Sequence, residues 1–387
     1  MRTTLVAAIT SAALPLLAVT GAPAPATAGP GTAGRAAPAE LPATIYGGAW
    51  PTSHVQGVAV DRTRGFVYYS FTQMLVKTDL AGTVLGTVTG LTGHLGDLDL
   101  NPEDGRLYGS LEYKAEKAFY IAIFDVDRLD RIGMDAETDG VMTTVHLKEV
   151  VDDFVADLDG NGVFDGDTAD TADHRYGCSG IDGVSFGPQL GKRHGRNVLM
   201  VAYGIYANVD RADNDYQVLL EYDVRNWGRY ERPLRQQQPH RSGPQRVDDK
   251  IFVRTGNTRY GVQNLEYDAH TGNWMMAVYK GTKPQFPNYS LYLVDGSAKP
   301  RRAQILGQPR RETGNVVPLA PAGLRDPETG VRGYESLGDY GLESLGRGRF
   351  YIATGKAVTV DGVTRQDATL TLNHWTGQTP TPFAPVS

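Results

Sequence analysis

Two histidines open two closely similar stretches of the chain, "HVQGVAVDRTRGFVYYS" and "HLGDLDLNPEDGRLYGS". The imidazole group changes its charge near neutral pH, so His54 and His94 are candidates for general acid–base catalysis or for orienting a substrate. Alternatively, each histidine caps a strand by bonding to a neighbouring turn. The polar position two residues further on recurs later in the chain as Asp182 and Glu343. Their carboxylates are candidates for an acid and base pair or for metal ligands.

The two histidine stretches are the first of five copies of one short pattern, which runs polar or Gly, apolar, polar, small, apolar. The copies begin at residues 54, 94, 180, 261 and 341. Each copy opens a unit of about four short runs that are rich in Val, Tyr, Phe and Leu and bounded by turns, which is typical of strands. We therefore predict an all-β fold, a β-propeller of four-stranded antiparallel blades.

Five blades are favoured because each copy already has its own strands, but the uneven spacing leaves six to eight blades open. The fourth run of the fourth copy is the weak "RAQILG". Residues 46–50 are predicted to add a strand to the last blade and close the ring. The alternative architecture is a β-sandwich, which has regularly spaced strands but rarely a repeated four-strand unit.

The innermost strands of a propeller surround a central channel, so one motif position per blade forms a ring there. The third position carries Gln56, Gly96, Asp182, Gln263 and Glu343, and the fourth carries Gly57, Asp97, Gly183, Asn264 and Ser344. Buried polar side chains need partners, so this ring predicts a bound ligand or cation, with a water-filled channel as the alternative. The substrate-binding candidates are Gln56, Asp97 and Gln263 on the ring, and Tyr113, Arg175 and Tyr176 near its rim.

An acidic loop at residues 152–174 contains "DLDGNGVFDGD", in which oxygen-bearing residues alternate around a glycine as they do in EF-hand-type calcium loops. The predicted Ca²⁺ ligands are Asp157, Asp159, Asn161, the Val163 carbonyl, Asp165 and, where an EF-hand has Glu, Asp167 or Asp170. The expected role of Ca²⁺ is structural, and a solvated acidic turn is the alternative. A second ion in the central channel is a further possibility.

Composition and motifs exclude several function classes. The net charge is −6, so a nucleic-acid partner is not expected. There is no phosphate-binding Gly-rich loop, nucleophile elbow or His-Glu-x-x-His motif. The single Cys178 excludes an internal disulfide framework. We predict a monomer in which the Arg-rich segment 225–246 is a solvated loop, with attraction of acidic ligands as its alternative role.

The N-terminus reads as a targeting segment, with Arg2, an apolar stretch and the small-residue sequence "ATA". We predict a signal peptide at 1–28, a disordered Ala/Pro/Gly-rich linker at 29–42 and one propeller domain at 43–387. The expected location is extracellular. The apolar stretch is too short for a transmembrane span, so no membrane partner is expected.

The five-unit pattern over residues 46–387 resembles five-bladed propellers at the level of the fold. It is similar to secreted furanosidase-type glycosidases, whose carboxylates line an axial pocket, and to calcium-dependent apyrases, which hold calcium in the central tunnel. Propeller lyases and rhamnosidases that act on uronate polysaccharides also resemble it in using His and Tyr on the channel rim, but they have more blades. These resemblances imply a secreted carbohydrate-active enzyme, a glycoside hydrolase or polysaccharide lyase, whose partner is a carbohydrate such as an acidic polysaccharide. The alternatives are a calcium-dependent phosphohydrolase and a non-enzymatic glycan- or protein-binding propeller.

Overall fold

A computed structural model describes residues 41–386, and the predicted five-bladed β-propeller is confirmed. The predicted signal peptide and all but the last two residues of the predicted linker lie outside the described residues. Leu41 is buried in the core, and the carbonyl of Pro42 accepts a hydrogen bond from the Tyr351 hydroxyl. The first strand, β1 (Thr44–Trp50), belongs to the last blade.

Blades 1 and 2 are each built on four antiparallel strands. The strands of blade 1 are β2 (Val55–Asp61), β3 (Phe66–Phe71), β4 (Met74–Asp79) and β5 (Val84–Thr89). The strands of blade 2 are β6 (His94–Leu100), β7 (Leu107–Tyr113), β8 (Ala118–Phe124) and β10 (Met142–His146), and the short β9 (Met134–Asp135) pairs with β5. β2 and β6 are the two histidine stretches, and each is the innermost strand of its blade.

The helix α1 (Lys148–Phe154) and the acidic loop lead into blade 3. Its strands are β11 (Cys178–Pro188), β12 (Asn197–Ile205), β13 (Tyr216–Tyr222) and β14 (Asp249–Arg254). Short 3₁₀ turns occupy Arg175–Gly177 and Val224–Arg229. The segment between β13 and β14 contains the Arg-rich stretch, which lies on blade 2: the Thr144 and Arg232 backbones pair, and Arg106 forms an ion pair with Glu231. These contacts differ from the solvated loop that its polarity predicts.

Blade 4 has three strands, and blade 5 is completed by the N-terminus. The strands of blade 4 are β15 (Thr258–Asp268), β16 (Asn273–Lys280) and β17 (Leu291–Val294). β18 (Arg301–Ile305) and β19 (Glu312–Val316) join blade 3, and β20 (Leu324–Arg325) pairs with β21 (Arg332–Gly333). Blade 5 contains β22 (Leu342–Ser344), β23 (Arg349–Thr354), β24 (Ala357–Val360), β25 (Val363–Trp375) and β26 (Phe383–Pro385). β1 pairs with β25, which confirms the predicted closure of the ring.

The assignment of "RAQILG" to blade 4 is wrong, because β18 pairs with β19 and β19 pairs in parallel with β14 of blade 3. The outer side of β17 has only isolated bridges, to Leu319 and Tyr334. Four residues of β18 are exposed, so this strand has little apolar surface that could specify its blade.

Five clusters of buried apolar side chains hold the ring together, one at each contact between neighbouring blades. Both faces of most inner strands are therefore covered, which explains why the strands lack strict apolar–polar alternation. The repeated serines also link blades: the Ser70 hydroxyl donates to the Gly96 carbonyl at 2.5 Å, and the Ser110 hydroxyl donates to the Asp182 carbonyl at 2.6 Å. The matching serines thus link blade 1 to blade 2 and blade 2 to blade 3.

Within residues 41–386, no helix combines the length and apolar character needed to cross a bilayer.

Candidate functional site

One end of the central channel opens into a polar cavity of ≈ 240 Å³, here called the channel-mouth cavity. It lies at the start of the inner strands, where β2, β6, β11 and β15 bring their first residues together. The predicted residues that line it are His54, Gln56, His94, Asp182 and Gln263. It is further lined by Glu112, Lys114, Ser179, Ile181, Gly204, Tyr260 and Tyr279. The repeat therefore brings both histidines and three of the five ring positions into one cavity.

His94 is held by a carboxylate across the first hairpin of blade 2. Its Nδ1 lies 3.4 Å from Oε2 of Glu112, and the Lys114 ammonium lies 3.7 Å from the same oxygen. The other oxygen, Oε1, accepts the Ile181 backbone N–H at 2.5 Å, which fixes the carboxylate. Burial opposes protonation of His94, but the hydrogen bond to Glu112 and the charges of Asp182 and Glu112 outweigh it and raise the pKa of His94. The environment of His94 therefore favours its protonated form more than water does.

Glycine at position 180 makes the Glu112 contact possible. A Cβ at Gly180 would lie 1.8 Å from Oε1 of Glu112, and the backbone φ of +124° is one that L side chains rarely adopt. The glycine that opens the third copy of the repeat is therefore required by the carboxylate of the neighbouring blade.

Asp182 is a buried acidic group of the cavity with an unsatisfied hydrogen-bond acceptor. Its side chain is 6% exposed, and Oδ1 has no hydrogen-bond partner among residues 41–386. Burial raises the pKa of Asp182 to about 7; the charge of His94 opposes the rise and that of Glu112 adds to it. A buried acceptor without a partner is costly, so this oxygen is positioned to receive a donor from a ligand.

Gly96 is the exception to the polar ring because it makes room for Asp182. A Cβ at position 96 would lie 2.2 Å from Oδ1 of Asp182 and 2.4 Å from the Ser110 hydroxyl. The missing oxygen-bearing side chain of blade 2 is thus replaced by the carboxylate of blade 3.

The environment of His54 shifts its pKa in the opposite direction from that of His94. Its Nε2 lies 3.2 Å from the Tyr279 hydroxyl, and its ring packs on Tyr340 with centroids 4.9 Å apart. Burial, and then the charge of His94, lower the pKa of His54. The cavity therefore contains one histidine whose lowered pKa favours the neutral form, which can accept a proton. Beside it, the raised pKa values of His94 and Asp182 favour the protonated forms, which can donate one.

Below the cavity, polar side chains close the channel. Asp97 is 1% exposed, and its Oδ2 accepts the backbone N–H groups of Val184 at 3.0 Å and Leu265 at 2.9 Å. Its Oδ1 accepts the N–H of Leu98 at 2.9 Å. The amide of Asn264 reaches across to the Gln56 carbonyl at 2.9 Å. Asp97 is therefore a link between blades 2, 3 and 4, which differs from the substrate-binding role predicted for it.

Glu343 also lies away from the cavity, in contrast to its predicted catalytic position. Its Oε1 accepts the backbone N–H of Val60, four residues along β2 from Gln56. The Asn264 amide donates to the carbonyls of both Gln56 and Asp339, so Asp339, four residues before Glu343, is the blade 5 residue at the level of Gln56. Blade 5 therefore contributes no ring residue to the channel-mouth cavity.

The three rim candidates are separated from one another. Tyr113 lies in a neighbouring cleft, where its hydroxyl donates to the Gln236 side chain at 2.8 Å. Arg175 and Tyr176 belong to other cavities on blade 3, and the Tyr176 hydroxyl bonds to Glu312. The chain turns outward before β11, so these two side chains do not reach the predicted rim.

The acidic loop brings together two of its predicted ligands and one that the spacing does not predict. Carboxylate oxygens of Asp157, Asp159 and Asp173 lie within 4.8 Å of one another, and this is the only such cluster of three metal-ligating groups among residues 41–386. Asp173 is buried, and its oxygens accept the N–H groups of Leu158 and Asp165.

The remaining predicted ligands of the loop make other contacts. The Asn161 amide donates to Asp159 at 2.9 Å, and its oxygen accepts the N–H of Val163 at 2.6 Å. The Asp165 carboxylate accepts the Thr171 hydroxyl, and the Asp170 carboxylate lies outside the cluster. The geometry of the loop therefore differs from that of an EF-hand.

The strand pairing of blade 2 indicates that Glu112 belongs to the site, which comparison of the motifs alone does not. β6 pairs antiparallel with β7, and His94 lies directly opposite Glu112. Pairing the two strands of this hairpin in the sequence would place Glu112 beside His94. Tyr279 and Tyr260 come from the hairpin of β15 and β16, whose register shifts make their position unpredictable from spacing alone.

The raised pKa of Asp182 predicts how stability depends on pH. A carboxyl whose pKa rises on folding, here from 3.8 to about 7, binds more protons in the folded state than in the unfolded chain. The contribution of Asp182 to the free energy of unfolding is therefore lost as the pH rises through this interval. We expect Asp182→Asn to lose less stability than the wild type between these pH values, as measured by urea unfolding. An identical pH dependence of the two proteins would contradict the assignment.

Comparisons with known proteins do not identify a function for this chain. No protein-family model matches the chain, and no curated protein matches it. Among solved structures, the chain is similar to a crystal structure of a protein of unknown function from Bacteroides caccae. The two are 10% identical with a TM-score of 0.30, over 69% of this chain and 86% of that chain. A likeness at this level carries no argument about activity.

Proposed function

We propose that the protein is a carbohydrate-active enzyme that uses the channel-mouth cavity for acid–base chemistry, with polysaccharide lyase activity on a uronate as the reaction. The observation that carries the proposal is Asp182, a buried carboxyl with an unpartnered oxygen in a cavity shared with two histidines of opposite pKa shift. Pairs of titratable groups whose environments separate their pKa values are typical of acid–base sites.

The cavity offers a group for each proton transfer of a β-elimination. His54 takes the proton from the carbon next to the uronate carboxylate. The electron pair of the broken C–H bond then forms the new C=C bond. The bond to the leaving oxygen breaks, and Asp182, protonated near neutral pH, donates a proton to that oxygen. Lys114 is a cation at the cavity, and His94, when protonated beside Glu112, adds a second positive charge against the one negative charge of Glu112, which favours an anionic sugar.

The geometry favours a lyase over the two hydrolytic alternatives. Glycoside hydrolysis requires two carboxyl groups flanking the scissile bond, but Glu112 is occupied by Ile181, His94 and Lys114, which leaves Asp182 alone. An apyrase-like reaction with an axial ion would need oxygens that Asp97 already uses for backbone N–H groups. A single carboxylic acid with a neutral base fits elimination best.

A polysaccharide screen tests the proposal. Pectate, alginate, glucuronan and hyaluronan are incubated with the protein, and the unsaturated product is followed by its ultraviolet absorbance. We expect unsaturated products from at least one of these polymers. New reducing ends without unsaturation would indicate a hydrolase, phosphate release from nucleotides would indicate the phosphohydrolase, and binding without turnover would indicate a glycan-binding propeller. Each of these three results would overturn the lyase proposal.

We also propose that the acidic loop binds Ca²⁺ as a structural ion. The support is the convergence of Asp157, Asp159 and Asp173, since three carboxylates so close together repel one another without a cation. The cation would join the buried Asp173 to the two exposed aspartates and hold the insertion on blade 3. The chemistry of the donor set, all hard oxygens, suits Ca²⁺.

Calcium is therefore expected to raise the midpoint of thermal unfolding, and a chelator is expected to reverse the rise. Asp159→Asn removes one charge from the cluster and is expected to weaken the calcium-dependent shift several-fold. The matched control is Asp170→Asn, which lies outside the cluster and is expected to keep the wild-type shift. Differential scanning calorimetry with and without Ca²⁺ measures both. Equal loss in the two variants would contradict the revised ligand set.

Secretion is proposed from the sequence of residues 1–28, which has the order of a signal peptide. N-terminal sequencing of the protein from culture medium tests it, with a mature N-terminus directly after Ala28 as the expected result. Retention of the full chain inside cells would contradict it.

A further inference from the structure

A second polar depression, of ≈ 480 Å³, adjoins the channel-mouth cavity on the side of blade 2. We call it the blade-2 cleft. It shares three lining residues with the cavity, His94, Glu112 and Lys114. Its other walls are Thr92 and Gly93 before β6, Tyr113 at the end of β7, Ala115 and Glu116 in the turn that follows, and Gln236 and Gln237 of the Arg-rich segment. A continuous polar surface therefore leads from the cavity over Lys114 to this segment.

The far wall of the blade-2 cleft is fixed by buried hydrogen bonds. Gln236 is 8% exposed, and its Oε1 accepts the Tyr113 hydroxyl at 2.8 Å and the Thr92 backbone N–H at 2.7 Å. Its Nε2 donates to the Gly90 carbonyl at 2.9 Å. These three bonds, to Tyr113 of blade 2 and to the connection between β5 and β6, fix the Gln236 side chain in the wall. The wall is therefore formed before a ligand arrives, which lowers the entropy cost of binding.

The Arg-rich segment is attached to the cleft at a second point. The Arg241 guanidinium donates to the Glu116 carbonyl at 2.8 Å and to the Lys117 carbonyl at 2.6 Å. These two bonds tie the segment to the turn that forms the near wall. The Arg-rich segment is thus hydrogen-bonded to blade 2 at both walls, so the folded chain itself fixes the shape of the cleft.

We propose that the blade-2 cleft is a second subsite for the substrate, so that the enzyme acts on an oligosaccharide with units in both the cleft and the cavity. The inference rests on the proposed lyase function. The cavity alone is smaller than the roughly 300–1,000 Å³ of ordinary ligand pockets, which suits a single sugar unit. The cleft adds amide and hydroxyl groups that can bond to sugar hydroxyls, and Lys114 lies between the two spaces to pair with a uronate carboxylate. The bond that breaks would lie on the cavity side of this boundary, within reach of His54 and Asp182.

Chain-length dependence of turnover tests the subsite. The substrates are the dimer and hexamer of the uronate polymer that the wild type cleaves. We expect kcat/KM to rise about ten-fold or more from dimer to hexamer, and Ala115→Trp, which places an indole in the cleft, to abolish most of that rise. The matched control is Ala81→Trp on an exposed turn of blade 1, which is expected to keep it. Cleavage of the dimer with no gain for the hexamer, or an undiminished gain in Ala115→Trp, would overturn the inference.

A binding measurement separates failure of the subsite from failure of the proposed reaction. Hexamers of galacturonate, mannuronate and glucuronate are titrated into the wild type and Ala115→Trp by calorimetry. Affinity for at least one hexamer that falls about ten-fold in Ala115→Trp supports the cleft even where no polymer is cleaved. Equal affinity of the two proteins, or no binding of any hexamer, overturns it.

Charged substitutions of Gln237 test whether the ligand in the cleft is anionic. Gln237→Glu and Gln237→Lys place opposite charges at the exposed edge of the cleft. For a uronate hexamer we expect the lysine variant to bind several-fold more tightly than the glutamate variant. Equal binding by both, or the reverse order, would exclude an anionic unit in the cleft.

Discussion

Asp182→Asn is expected to lower kcat/KM by a factor of about 10² to 10⁴, the usual effect of removing a general acid. The substitution keeps the size of the side chain, so packing over Gly96 is retained, but the amide cannot supply the proton that the leaving oxygen requires. The loss is expected mainly in kcat, because the proton is transferred in the transition state. Steady-state kinetics on the polymer identified by the screen provides the measurement.

The matched control for this experiment is Asp130→Asn, whose side chain is 71% exposed and lies outside the cavity. It is expected to keep wild-type kinetics. The urea unfolding curve of Asp182→Asn near neutral pH shows whether the variant is folded. A folded Asp182→Asn protein with wild-type kcat would contradict the acid assigned here.

Asp97→Leu is expected to destabilise the protein on the order of 3–6 kcal/mol, because it leaves three buried backbone N–H groups without an acceptor. These groups belong to Leu98, Val184 and Leu265, so the substitution weakens the junction of three blades at once. Chemical denaturation gives the free energy of unfolding.

Asp97→Asn is the informative partner of this variant. Its carbonyl oxygen can still accept the N–H groups of Val184 and Leu265, so we expect it to lose less than half as much stability. Asp130→Leu is the surface control and is expected to change stability by less than about 0.5 kcal/mol. Similar losses in Asp97→Asn and Asp97→Leu would indicate that packing, and not the acceptor, determines the effect.

The fold was predictable because the repeated residues make the contacts between neighbouring blades. The apolar positions of the motif enter the clusters between neighbouring blades, and the repeated Ser70 and Ser110 bond to the next inner strand. Strand β18 was not predictable, since its four exposed residues would be equally acceptable at either blade. Its assignment depends on pairing in parallel through β19, which no local pattern indicates.

The candidate site was predictable in part, for reasons that differ between residues. His54 and His94 open their copies of the motif and Asp182 lies two residues into the third copy, so the repeat alone places all three at the same end of the channel. Glu343 occupies the same motif position as Asp182 but lies further along the channel, because Asp339, four residues earlier, is at the level of Gln56. Motif alignment assumes equal registers, and blade 5 is offset from the others.

The residues that complete the site come from second strands, which the motif does not include. Glu112 lies near the end of β7, Lys114 follows that strand directly, and Tyr279 lies near the end of β16. Glu112 could be found from hairpin pairing with His94, whereas Tyr279 could not, because two register shifts intervene between β15 and β16. Asp173 was missed because it closes the acidic loop outside the EF-hand spacing.

The pH dependence of kcat/KM tests the central claim most directly, namely that Asp182 and His54 transfer protons in the channel-mouth cavity. The lowered pKa of His54 keeps it neutral and able to accept a proton near neutral pH, whereas Asp182 must be protonated and has a pKa of about 7. We therefore expect a bell-shaped profile that falls on the acid side as His54 is protonated and on the alkaline side as the pH passes about 7. A kcat/KM that stays constant or rises as the pH passes this value would contradict the account.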